Sequence, residues 1–95
     1  MSKMSCTFQR IDAGRIEITP GAQVAIRGIE IAVALLRHMY ADWGFLTDED
    51  RLENGFSLEH QFRLLSEYED SNGMRFWILT EADRSVTTVL LPEES

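Results

Sequence analysis

The segment Gly14 to Ile18, GRIEI, alternates apolar and polar side chains, the period of a short half-buried strand. Thr19-Pro20 follows, and this pair predicts a helix start: threonine caps, and proline tolerates a first position that needs no backbone donor. The helical pattern runs to about Tyr40. Ala25, Ile29, Ala32, Leu36 and Met39 form its predicted apolar face, widened by Ile26, Val33 and Tyr40, with Arg27, Glu30, Arg37 and Ala41 opposite. Gly28 weakens the middle, which predicts a kink there or two short helices meeting.

Asp42-Trp43-Gly44 ends this region. Thr47 then caps a further helix that opens on Asp48, Glu49 and Asp50, acids that suit a positive helix end, and continues toward Ser57–His60. In the last third the period changes. Residues 62–68, 75–80 and 86–91 have the aromatic and β-branched content of strands, and Asp70-Ser71-Asn72-Gly73 is a hairpin signal between the first two. Ala82-Asp83-Arg84-Ser85 supplies the next turn, and Pro92 stops the ladder. The expected fold is α+β. A three- to four-stranded, mainly antiparallel sheet packs against two or three helices in the order β-α-(α)-α-β-β-β, with one compact domain over 14–92, a flexible arm over 1–13 and an acidic tail over 93–95.

At 95 residues and 44% apolar content, the chain suffices for one core. The net charge of −7 is uneven: residues 1–46 hold five Lys/Arg and four Asp/Glu, whereas residues 47–95 hold four Arg and twelve Asp/Glu. The second half therefore repels a phosphate backbone and suits either plain solubility or a basic protein partner. A lone cysteine, Cys6, excludes an intramolecular disulfide and a cysteine-rich metal site. The apolar-rich region Ile26 to Met39 is too short and too charged for a membrane span, and MSKMSCTFQR has no secretory core, so a cytoplasmic setting without membrane contact is expected.

Candidate chemistry is sparse. His38 and Asp42 are four apart and share a helical face if the helix reaches Asp42, but with His60 as the only other histidine and no HExxH pattern the histidines are expected to make ordinary hydrogen bonds. Ser57, Ser66, Ser71 and Ser85 lack a nucleophile-elbow setting, and the six glycines form no phosphate loop. The expectation is a non-catalytic domain without metal or cofactor.

Three segments are candidate contacts. Trp43 beside Asp42 is either an aromatic anchor ringed by carboxylates or a cover for the helix end. Asp48, Glu49, Asp50 and Glu53 either solvate a helix or imitate part of the field of a nucleic acid. Glu81, Asp83 and Arg84 either build a turn, with an acid paired to Arg84, or form a specificity loop. The alternative is a DNA-associated accessory protein using Lys3, Arg10, Arg15 and Arg27 as a basic patch. An uncovered sheet edge leaves a homodimer open.

The residues GRIEITPGA, Leu36-Arg37-His38 with Asp42-Trp43-Gly44, Phe62 to Tyr68 and above all TEADRSVTTVLLPEE resemble a family of short proteins encoded on plasmids and other mobile elements, over roughly residues 14–94. The resemblance assigns no catalytic residue. It implies a mobile-element (plasmid or phage) setting. Combined with the charge, that setting suggests a protein-binding inhibitor of a nucleic-acid-directed host defence complex, in an anti-CRISPR or anti-restriction role, whose partner is a host protein or nucleoprotein rather than free nucleic acid.

Overall fold

The computed structural model describes residues 11–95. Strand β1 (Arg15–Ile18) leads through Thr19 into helix α1 (Pro20–Ala25), where the Thr19 hydroxyl accepts from the Ala22 N–H. Helix α2 (Gly28–Met39) starts after a break at Ile26–Arg27, so Gly28 opens a second helix rather than kinking one. Helix α3 (Asp48–His60) is capped by Thr47, which accepts from the Asp50 N–H at 3.1 Å. Strands β2 (Leu64–Glu69), β3 (Arg75–Thr80) and β4 (Val86–Leu90) follow, and a single 3-10 turn (Pro92–Glu94) closes the chain.

The sheet order is β1-β4-β3-β2, with β2–β3 and β3–β4 antiparallel and β1 parallel to β4. This is the expected α+β architecture with four strands and three helices. Period-two alternation sends Leu64, Ser66, Tyr68, Phe76, Ile78, Thr80, Thr87 and Val89 to one face, all buried. Ala22 and Ile26 of the α1 region and Ile31 and Ala34 of α2 close over Tyr68, Phe76, Ile78 and Val89. Leu65, Trp77, Leu79 and Thr88 lie half-buried on the opposite face.

The buried face of α2 is not the expected one. Ile31, Ala34 and His38 point inward, whereas Ile29, Ala32, Val33, Leu36 and Tyr40 are exposed. The break before Gly28 resets the helical phase, so the face that Ala25 and Ile26 occupy in the first segment does not continue into α2. The α2 sequence is apolar nearly all round, and a buried polar contact of His38 decides its rotation.

Both ends of the domain are also tied more closely than expected. Two of the last three residues of the predicted arm are packed: Ile11 and Ala13 are buried, with Asp12 exposed between them, and the Ile11 N–H donates to Met39 C=O at 2.7 Å. The rest of that arm lies outside the described residues. The expected acidic tail folds back, with Glu94 accepting from the Thr19 hydroxyl (2.6 Å), the Gly21 N–H (3.2 Å) and the Leu91 N–H (2.9 Å). These bonds hold the Glu94 carboxyl below the usual carboxylate range, the Thr19 hydroxyl foremost.

Strand β2 lies at one edge of the sheet, where an unpaired backbone would invite association. That edge is closed at Glu67 and Leu65. Trp43 C=O accepts from Glu67 N–H (3.1 Å), and Phe45 N–H donates to Glu67 C=O (2.8 Å). One step along, the Asn54 side chain imitates a strand, its amide donating to Leu65 C=O and its oxygen accepting from Leu65 N–H (3.2 Å). Gly44 makes the first contact possible: at φ +73 its backbone lies against the Glu67 carbonyl and the Tyr68 ring, where a Cβ would collide with both. Replacing Asn54 by Ala leaves two partly buried backbone groups without partners. The substitution should cost about 1–3 kcal/mol in urea unfolding and accelerate amide exchange at Leu65; unchanged stability and exchange would show that the amide contributes nothing to edge closure.

Candidate protein interface

The Trp43 side chain does not form the exposed anchor considered from sequence. It is 6% exposed, packed with Ile11, Leu46 and Leu64, and meets His38 edge-on at 5.5 Å between ring centroids. The reason is local: the Trp43 backbone is held by Glu67, so its indole turns over the end of α2 and into the core. Asp42 is likewise occupied, accepting two bonds from Arg37 at 2.8 and 3.2 Å, while its carbonyl accepts from the Tyr68 hydroxyl. The Arg37 hydrogen bond is the main cause holding the Asp42 carboxyl low. The Asp42 carboxylate thus pairs with Arg37, leaving His38 to the core.

His38 is fully buried, with Nδ1 2.5 Å from Ser66 Oγ and Nε2 2.8 Å from Thr80 Oγ1. Thr80 Oγ1 lies 2.7 Å from Thr87 Oγ1, which donates to the Ala13 carbonyl at 2.7 Å. That terminal carbonyl only accepts, so it orients the chain behind it. Thr87 donates to Ala13, Thr80 to Thr87, His38 Nε2–H to Thr80, and Ser66 to an unprotonated His38 Nδ1. The Ser66–His38 contact has the atoms of a nucleophile and base, yet both side chains are sealed from solvent, and in this arrangement a substrate has no approach to Ser66. Among the described residues no group of three or more His, Cys, Asp or Glu is placed to hold a metal ion, and no helix is long and apolar enough to cross a membrane.

The β3–β4 turn is a clasp. Arg84, itself at φ +63, donates to the carbonyls of Phe62 (2.7 Å), Glu81 (3.1 Å), Ala82 (3.2 Å) and Ser57 (3.3 Å), so its charge sits at the carbonyl end of α3 instead of pairing with Glu81 or Asp83. Asp83 binds the Ser85 N–H and hydroxyl, which lower its pKa, the hydroxyl foremost. Glu81 is half-buried, and its backbone closes the same turn. Of the proposed basic patch, Arg15 pairs with Glu17 at 3.0 Å and Arg27 approaches Glu30 at 4.0 Å; Lys3 and Arg10 lie outside the described residues.

Of the three candidate contact segments, the one that stays accessible is the outer face of α3. Asp48, Glu49, Leu52, Glu53 and Phe56 follow three- and four-residue steps along one side of the helix, all exposed. Leu52 is 76% exposed and Phe56 54%. The helix ends on Gln61 in the left-handed conformation, and the reversal swings Phe62, 52% exposed, onto Phe56 with ring centroids 5.8 Å apart. Leu52, Glu53, Phe56, Ser57 and Phe62 line an open groove. Among the described residues Asp48, Glu49 and Glu53 have no cationic partner, and Asp50 is turned half inward. The structure thus brings three of the four candidate acids together and joins them to Leu52, Phe56 and Phe62, which sequence reasoning did not single out. Leu52 and Phe56, at i and i+4 beside the acids, carried the available signal.

Trp43→Ala should lower stability by about 3–5 kcal/mol through the cavity it leaves, read by denaturant unfolding; a loss under 1 kcal/mol (roughly the cost of a surface change) would contradict the packing described. A second outcome concerns pH. Burial, aided by the Arg84 charge, pushes the His38 imidazole down to about 4. The unfolded chain, with an ordinary value near 6.5, therefore binds a proton that the folded chain refuses. The stability this represents is full above about pH 6.5 and is lost as pH falls from there toward about 4, on the order of 3 kcal/mol. Urea unfolding across that window should show the decline, and a flat profile would refute the buried neutral imidazole.

No family model matches the chain, and neither the curated proteins nor the solved structures contain a match.

Proposed function

We propose that this domain binds another protein through the outer face of α3, and that the partner presents a basic surface with an apolar recess. One observation carries the reading: Leu52, Phe56 and Phe62 stand exposed together beside the carboxylates of Asp48, Glu49 and Glu53. A lone exposed apolar residue is ordinary, but neighbouring apolar side chains rimmed by like charges have the composition of an interface centre and its rim. The apolar groups supply desolvation energy, and the acids select a positively charged partner and speed its approach. The resemblance to mobile-element proteins extends the proposal. In its narrower form the partner is a host protein that holds nucleic acid in a defence complex, with the α3 acids occupying part of its basic groove.

The test compares capture from host lysate by the full chain and by a Leu52→Ser/Phe56→Ser chain, followed by titration of the purified partner. Both substituted positions are exposed, so thermal stability should change little while affinity falls about tenfold or more. Glu49→Lys/Glu53→Lys should weaken binding strongly at low salt and less at high salt. Recovery of free nucleic acid without a protein, or a partner indifferent to these four positions, would overturn the proposal.

A further inference from the structure

The two edges of the sheet are treated differently. The β2 edge is covered by the Trp43–Phe45 segment and Asn54, whereas all four residues of β1 are exposed. The N–H groups of Arg15 and Thr19 bond to the carbonyls of Ser85 and Val89, directing the odd-numbered residues of β1 toward β4. Strand alternation then places the N–H and C=O of Ile16 and Ile18 on the open side. Among the described residues nothing pairs with them. The side chains of Ile16 and Ile18, 41% and 37% exposed, stand above that edge on the face that carries Thr87 and Val89.

We propose that two copies of this chain associate by antiparallel pairing of their β1 edges about a twofold axis at Ile16, giving one continuous eight-stranded sheet. The pattern of β1 is self-complementary in that register. Ile16 meets Ile16 of the second copy as a hydrogen-bonded pair, using the backbone groups that face outward. Arg15 falls opposite Glu17 of the other copy, and Glu17 opposite its Arg15, at the closely spaced non-hydrogen-bonded positions where side chains touch. The Arg15–Glu17 pair already present in each copy then becomes one side of an alternating four-charge cluster. Centring the axis on Glu17 instead would set two like carboxylates face to face, so charge selects the register. An interface that repeats the same patch on both copies closes as a dimer and leaves no new edge. The Gly14 N–H is already bonded to Asp12, so the ladder is short and the dimer weak and rapidly reversible.

Sedimentation equilibrium of the full chain over a wide concentration range should show a monomer–dimer equilibrium, with slower amide exchange at Ile16 and Ile18 as the dimer fills. Arg15→Glu alone and Glu17→Arg alone should each abolish it, by setting like charges opposite one another, with circular dichroism unchanged. Mixing these two variants should restore a dimer containing one copy of each, and the double exchange Arg15→Glu/Glu17→Arg should restore the homodimer. Three results would overturn the proposal: a chain monomeric throughout, a dimer indifferent to the single variants, or a dimer that the double exchange does not recover. Recovery in the mixture without recovery in the double exchange would mean pairing about Glu17.

Discussion

A buried imidazole needs a partner at each ring nitrogen, and His38 finds them on different strands, Ser66 on β2 and Thr80 on β3. The continuation through Thr87 to the Ala13 carbonyl adds β4 and the segment before β1. One directional hydrogen-bond chain thus fixes the rotation of α2, the pairing of the three antiparallel strands beneath it and the path of the chain into β1. Because each member is out of water, breaking one link leaves polar groups without partners, so the arrangement acts as a unit. It also explains why a nearly all-apolar helix presents Ile29, Val33 and Leu36 to solvent: the polar contact outranks the choice among equivalent apolar faces.

The same economy governs the edge at β2. Trp43 serves twice, its carbonyl closing the strand and its ring covering His38, and this double use withdraws it from the surface. Arg84 performs a comparable service at the other end of the helix layer, joining the β3–β4 turn to the last turn of α3. Trp43 and Arg84, which looked available for recognition because they are aromatic or charged, are consumed in satisfying backbone groups. Of the candidate segments, the one left accessible is the side of α3 turned away from Asn54, which bonds to the β2 edge. That helix rests on the edge of β2 and not across the sheet, which leaves Leu52 and Phe56 outward beside the acids. With the acids concentrated there and an open strand at the far edge, the proposed contacts with a basic partner and with a second copy rest on two distinct surfaces.

Local physical chemistry was legible in the chain itself. The aromatic and β-branched content of the last third marked β2 to β4, Thr19-Pro20 and Thr47 marked helix starts, and the Asp70–Gly73 turn set β2 and β3 antiparallel, because these signals depend on neighbours within a few positions. The alternation of GRIEI marked β1 but not its burial, since all four of its residues are exposed. The acidic arc of α3 was legible for the same reason. The facing of α2, the burial of Trp43, the carbonyl clasp of Arg84, the docking of Glu94 and the parallel placement of β1 beside β4 were decided by tertiary structure. Each depends on a backbone or side-chain group distant in sequence that must be hydrogen-bonded once water is excluded, and a local pattern carries no record of which distant group that is.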